Sequence, residues 1–363
     1  MLTVALADIY LKIDAIDPVA YATSRNYLNG AVTRLSPYIS RGVISTRTVY
    51  DHLISKGWSV ATAEKLIQEL AWRDYWQAIW EEKGSGIDLD MNGSQFPVAT
   101  HGVPVALMQS NTGIDAIDSG VRELVETGYI HNHLRMYIAS LSCNIASCHW
   151  LQSAKWMYYH LLDGDWASNA LSWQWVAGTF SNKKYFANQD NINRYCNTNQ
   201  LNTFLDVGYD ELPLKDIPFV FQETQDADLK CLLPERSPIH LQQGLPVLIY
   251  TSYNLDPNWQ KDIHANRILL LEPSHFNKYP VSKKVVEFIL SLANEIPGIQ
   301  VFVGEFSELQ NLSSDDFHFK KHPFSAHFIG KQELPERLTD VNGFYPNFFK
   351  FWKKVRKELE NGN

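Results

Sequence analysis

The sequence predicts a mainly α chain that ends in a smaller α/β segment. Three observations predict it. Through residues 1–200, apolar and aromatic side chains recur three and four apart, with short breaks and few β-branched runs, which is the helical period. From residue 244 the pattern changes to short continuous apolar runs flanking a helical stretch, as in a parallel βαβ unit of a partial Rossmann-like sheet. Between them, residues 201–243 are polar and carry Pro213, Pro218, Pro234 and Pro238, and read as a linker or wrapping segment. The expected organisation is a helical domain over 1–200, a connector over 201–243 and a small α/β domain over 244–363.

Each element has its own signal. Helices are expected over 17–29, 40–55, 60–83, 113–127, 131–147, 150–162 and 166–177. Residues 84–112 hold Gly84, Gly86, Gly93, Pro97, Gly102 and Pro104 and read as a long loop. In the α/β part, strands are expected at 246–251, 267–271 and Ile299–Val303. A helix capped by Ser282 puts Val285, Val286, Ile289, Ala293 and Ile296 on one face. Residues 348–359 form an aromatic and basic helix.

Composition narrows the function classes. With 363 residues, 45% hydrophobic and 20% charged, the chain is that of a globular protein rather than a disordered one. No apolar run approaches the ~18 residues that would span a bilayer, so no membrane association is expected. The start, from Met1 to Asp8, has no basic segment before its first acid, which predicts no signal peptide and a cytoplasmic protein. Four cysteines without a CxxC pair read as buried thiols rather than a disulfide scaffold or a metal cluster. A net charge of −8 argues against bulk charge-driven binding to nucleic acid but leaves room for a local basic groove. Of the 11 tryptophans, nine lie between Trp58 and Trp175, a clustering that suits packing, stacked bases, aromatic cofactors or electron hopping.

Four constellations carry chemistry. Thr33-Arg34-Leu35-Ser36, following Tyr21 and Arg25, offers a guanidinium between two hydroxyls beside a helix start: a phosphate cradle, or a plain Ser-Pro helix start. Glu69, Trp72, Arg73 and Trp76 share one stripe of a helix, either as a buried ion pair among indoles or as a pocket wall with a polar hook and a flat stacking surface. Asn132, Arg135 and Met136 share a face of the next motif. Its His131 and His133 lie on different helical faces with no third ligand at metal spacing, so no metal is expected. Asp163-Gly164-Asp165, followed by Asn169, Trp173 and Trp175, is either an N-cap with an acidic first turn or part of a cofactor site.

Taken together, and in order, these segments resemble the flavin-binding helical domain of the DNA photolyase and cryptochrome family. The motifs are Thr33 to Ser36, Glu69 to Tyr75, Thr112-Gly113 with Asp118, His131 to Met136, and Leu162 to Trp175. The resemblance implies a bound FAD. Tyr21, Thr33, Arg34, Leu35, Ser36 and Arg73 would line its phosphates and ribityl chain, with Glu69 close by. Asp163 and Asp165 would face the ring edge and ribityl, Arg135 would pair with Asp163, and Asn169 would face flavin N5. It also implies a pocket for damaged DNA, in which Trp72 and Trp175 flank a pyrimidine dimer, Glu69 and Asn132 are its polar hooks and Met136 its apolar floor. Trp173 and Trp150 match the inner and middle members of an electron-transfer chain, and Gln95-Phe96-Pro97 stands where the third indole would be.

The implied activity is blue-light-driven splitting of cyclobutane dimers by a deoxyribodipyrimidine photolyase-like lyase, with a cryptochrome-like photoreceptor or flavin redox protein as the alternative. A monomer is expected. The light-harvesting domain that usually precedes the helical one is not seen before Tyr21, which leaves a place for a separate antenna-bearing chain. The 244–363 segment is too small to predict a chromophore of its own.

Overall fold

The chain packs as two units that alternate along the sequence: Met1–Pro18, Thr33–Glu82 and Lys230–Asn363 form one, and Val19–Val32 with Lys83–Leu229 the other. The computed structural model describes residues 2–181, 183–312 and 316–361. The helical stretch 1–200 contributes to both units.

The first unit holds a five-stranded, fully parallel sheet: β1 (Val247–Tyr250), β2 (Asn266–Leu271), β3 (Ile299–Val303), β4 (Phe317–Lys320) and β5 (Lys331–Glu333). The order across it is β3-β2-β1-β4-β5. Every residue of β1 is buried, as expected of a central parallel strand covered on both faces. Val247 and Ile249, alternating on one face, join Ile268, Leu270, Phe302, Phe306, Phe317 and Phe319 in one apolar cluster. The strand order switches direction between β1 and β4, and a cavity of about 290 Å³ lies beyond the carboxyl ends of those strands, bordered by Tyr253, Asn254, Lys320 and His322.

The helices of this unit include Leu6–Asp14, Ser36–Ser40, Thr46–Ser55, Glu64–Lys83 and the last one, Phe348–Asn361. The helix expected over 40–55 is broken at Gly42, whose φ of +63° and approach to Tyr253 leave no room for a side chain: a Cβ there would sit 2.3 Å from the Tyr253 carbonyl oxygen. The helix restarts at a reciprocal cap in which Ser45 and Thr48 satisfy each other's backbone N–H. The expected cap at Ser282 is in place by position only, since its side chain makes no capping bond.

The second unit is a helical bundle built on Asp115–Thr127, Asn132–Ser140, Trp150–His160, Trp166–Ala177 and Gln189–Cys196. Asp118 staples the turn before the first of these, accepting from Thr112 N, Thr112 Oγ1 and Gly113 N at 2.8, 2.7 and 3.2 Å. The helix expected over 131–147 runs to Ser140 and continues as a wider π turn over Leu141–Ile145. The one expected over 17–29 shrinks to Pro18–Ser24. The loop 84–112 carries a 3₁₀ turn over Gly84–Asp88 and a short helix over Val105–Met108.

Burial sets an acid limit on the first unit. His275 is buried, and desolvation, aided by His322, pushes its pKa down to about 3. The folded chain therefore keeps it neutral while the unfolded chain protonates it near pH 6.5, so the unfolded state binds more protons and stability falls as pH drops below that value. Urea unfolding should show a loss of roughly 2 kcal/mol from this residue between pH 7 and pH 5, and His275→Leu should narrow the acid loss by about that much.

Candidate flavin and substrate site

The assigned residues divide between the two units, and each set has its own geometry. In the first unit, Leu35 is buried and anchors the cradle, while Arg34 and Ser36 on either side are more accessible. Arg34 has φ of +53°, the left-handed region that a non-glycine residue enters only when its surroundings hold it there. Thr33 Oγ1 accepts from Leu35 N at 3.4 Å and steadies the turn. The cradle thus presents a guanidinium and a hydroxyl from a fixed backbone, which suits a phosphate.

Arg73 lies on the helix Glu64–Lys83. It donates from Nη1 to Ser40 Oγ at 3.0 Å and from Nη2 to the Ile39 carbonyl at 3.3 Å, tying its helix to the end of the short helix Ser36–Ser40. It also lines the cavity at the sheet. On the same stripe Glu69 is exposed, Trp72 is half-buried and Trp76 is buried against Trp72. One face of Trp72 is covered: the Phe348 ring stacks on it with centroids 3.7 Å apart and planes 9° from parallel.

In the second unit the central feature is a largely buried ion pair. Arg135 Nη2 donates to both oxygens of Asp163, at 3.1 and 2.8 Å, and Arg135 also donates to the Ile130 carbonyl. The resemblance assigns this pair to the flavin surroundings. Two residues on, Asp165 caps the helix Trp166–Ala177, its side chain accepting from Ser168 N at 2.7 Å, so the N-cap reading of this acid holds. Asn169, one turn in and buried, donates from Nδ2 to the Ala154 carbonyl at 2.8 Å. That bond fixes the amide and leaves Oδ1 as an acceptor with no protein donor among the described residues. Trp173 follows one turn later and is buried; Trp175 is 37% exposed beside Tyr185, Lys183 and Lys184. Tyr21 and Met136 are half-buried, and Asn132 is exposed at the start of its helix. His131 caps that helix through His133 N, and His133 Nδ1 meets the Asn26 carbonyl at 2.8 Å, so both have structural work.

Sequence reasoning missed two carboxylates in the long loop. Trp150 is fully buried, and its Nε1 donates to Asp90 Oδ1 at 2.7 Å; Trp166, also buried, donates to Asp88 Oδ1 at 2.7 Å. Loop acids two apart carry no such signal until the fold places them. Among the described residues no group of three or more His, Cys, Asp or Glu could hold a metal, and Cys143, Cys148 and Cys196 are separate buried thiols. No described helix is long and apolar enough to cross a membrane.

Residues 66–206 match the family model described as the FAD binding domain of DNA photolyase. Over this segment the chain is similar to the photolyase and cryptochrome family. Among its relatives are a deoxyribodipyrimidine photo-lyase of Alkalihalophilus pseudofirmus, 28% identical over 216 residues (57% of this chain, 45% of the relative), and a cryptochrome DASH of Danio rerio, 31% identical over 175 residues (45% and 33%). A Synechocystis cryptochrome structure aligns with TM-score 0.47 and 22% identity, over 53% of this chain and 44% of that one. The chain spans less than half the length of these relatives. The residues of the photolyase-type segment fit the cofactor that goes with it: a buried Arg135–Asp163 pair and an amide oxygen at Asn169 are the polar groups a flat, hydrogen-bonding ring requires.

The ion pair sets a stability test. Asp163→Asn removes the charge that a mostly buried guanidinium is built around, and the loss should be roughly 3 kcal/mol in urea unfolding of the purified protein.

Proposed function

We propose that this chain is an FAD-dependent flavoprotein that splits cyclobutane pyrimidine dimers in DNA under blue light. The observation that supports the reading best is the buried Arg135–Asp163 pair together with the fixed amide of Asn169 on the photolyase-type segment. When bound, FAD would supply the light-driven one-electron chemistry.

The chain's own residues do the rest. Arg34 and Ser36 bind phosphate from the strained cradle. Asn169, its amide fixed by the Ala154 carbonyl, would hold the ring by offering Oδ1 to an N–H. Arg135 neutralises Asp163 and keeps a stray carboxylate charge away from that ring. Glu69 and Asn132, both exposed, are the hooks for the pyrimidine edges, and the exposed indole of Trp175 offers a stacking face with Lys183 and Lys184 beside it for the backbone phosphates. A dimer is already poorly stacked, which lowers the few kcal/mol needed to turn it out of the duplex.

A second reading, a cryptochrome-like photoreceptor without repair, draws on one feature: the Trp72 face that Phe348 covers. The visible spectrum of the purified protein, followed by illumination with reductant and dimer-containing DNA, separates the two. Flavin bands with light-dependent dimer loss support repair; flavin bands without it support the photoreceptor; a colourless protein that takes up no added FAD overturns both. Glu69→Ala should lower repair about ten- to a hundredfold while flavin content is unchanged, the cost of one hydrogen bond to a charged group.

A further inference from the structure

We propose that Asp90 is the proton acceptor for Trp150 when that indole is oxidised, so that the hole is trapped on Trp150 as a neutral radical. This rests on the flavin reading above, with a photo-excited oxidised flavin as the oxidant and Trp173 as the inner relay.

Trp150 has no exposed surface, and an indole that loses an electron there carries a positive charge it cannot share with water. Oxidation also makes its N–H strongly acidic. The base in contact is already aligned, with Nε1 2.7 Å from Asp90 Oδ1. Asp90 is itself fixed in position. Its Oδ2 accepts from Gln95 N at 2.7 Å, and Gln95 Oε1 accepts from Trp150 N at 2.9 Å, which holds loop and indole together.

The carboxyl has a second neighbour on the same oxygen. His149 Nε2 lies 3.3 Å from Asp90 Oδ1 while its Nδ1 accepts from Leu151 N at 3.4 Å, so the ring is the Nε2–H tautomer. Burial lowers its pKa and keeps it neutral, so its Nε2–H faces Asp90 Oδ1 as a second donor beside the indole. The exposed ring of His101 stacks on it, with centroids 4.9 Å apart. The need for such a device follows from Gln95-Phe96-Pro97, the stretch in which the family resemblance expects another indole. With no further tryptophan at that place to carry the hole outward, loss of the proton is what stops it returning.

The step balances. Trp150 gives one electron toward the flavin and its Nε1 proton to Asp90, leaving a neutral indolyl radical and a carboxylic acid. A solution thiolate later returns an electron, and Asp90 returns the proton.

The test is laser-flash absorption and electron paramagnetic resonance on the flavin-loaded full chain, in H₂O and D₂O. In the unaltered protein the deprotonated indolyl radical should appear, severalfold more slowly in D₂O. Asp90→Asn keeps a hydrogen-bond acceptor but no base, and should slow deprotonation about a hundredfold; Asp90→Glu should restore it. Asp88→Asn, which alters the matching bond to Trp166, should leave the signal unchanged. Trp150→Phe should abolish it. Deprotonation at an unaltered rate in Asp90→Asn, or a radical in the unaltered protein that stays protonated with no isotope effect, overturns the proposal. So does a signal that survives Trp150→Phe. The isotope effect needs no variant, so it decides even if Asp90→Asn fails to fold. A chain that holds no flavin fails differently, by lack of colour, and takes the functional reading with it.

Discussion

Every buried indole must find an acceptor for its N–H, and in this protein that requirement organises whole segments. Trp150 and Trp166 reach Asp90 and Asp88, and in the other unit Trp259 reaches Glu333 at 2.9 Å. Each acceptor lies far away in sequence, in a loop or on the last strand of the sheet. An indole left unsatisfied would cost about 1–3 kcal/mol, so each of these bonds pins a distant segment to a helix or strand core. Gln174 does the same with an amide, donating to the Ile87 carbonyl and accepting from Met91 N and Thr179 Oγ1. The loop after residue 83 is ordered because the tryptophans need it.

Helices were legible where an apolar stripe met a clear start. Trp166–Ala177 and Glu64–Lys83 fall within about four residues of expectation, since Asp165 caps the first and the second has an unbroken period. The continuous apolar runs of β1, β2 and β3 announced a parallel sheet for the same kind of local reason. What could not be read was set by contacts between distant parts. Gly42 looks like an ordinary helix residue until the Tyr253 backbone approaches it. β4 is only four residues, Phe317 to Lys320, and its alternation is too short to stand out from a loop. Helix Gln189–Cys196 is strongly amphipathic but short, and its asparagine-rich sequence also reads as a turn.

The site followed the same rule. Arg135 with Asp163 could be named as a pair because both belong to motifs whose order and spacing are themselves the signal. The double role of Asp165 was visible too, as a cap or as a cofactor group, and its bond to Ser168 N decides the first part of that choice. Arg73 was harder to read: the stripe it shares with Trp72 does not show that its guanidinium is spent on Ser40 and Ile39. Asp88 and Asp90 had no motif at all, because their partners are set by tertiary structure alone.

The last helix has one more effect. Phe348 lies flat on Trp72, and Trp352 continues the ladder beyond it with its plane again within 9°. That side of Trp72 is therefore not a vacant berth. An extruded nucleobase arriving there would have to trade places with a phenyl ring, and would keep only the difference between a base stack of about 1–3 kcal/mol and an aromatic pair of about 0.5–1.5 kcal/mol. Any flat guest at that spot competes with a phenyl ring for one surface.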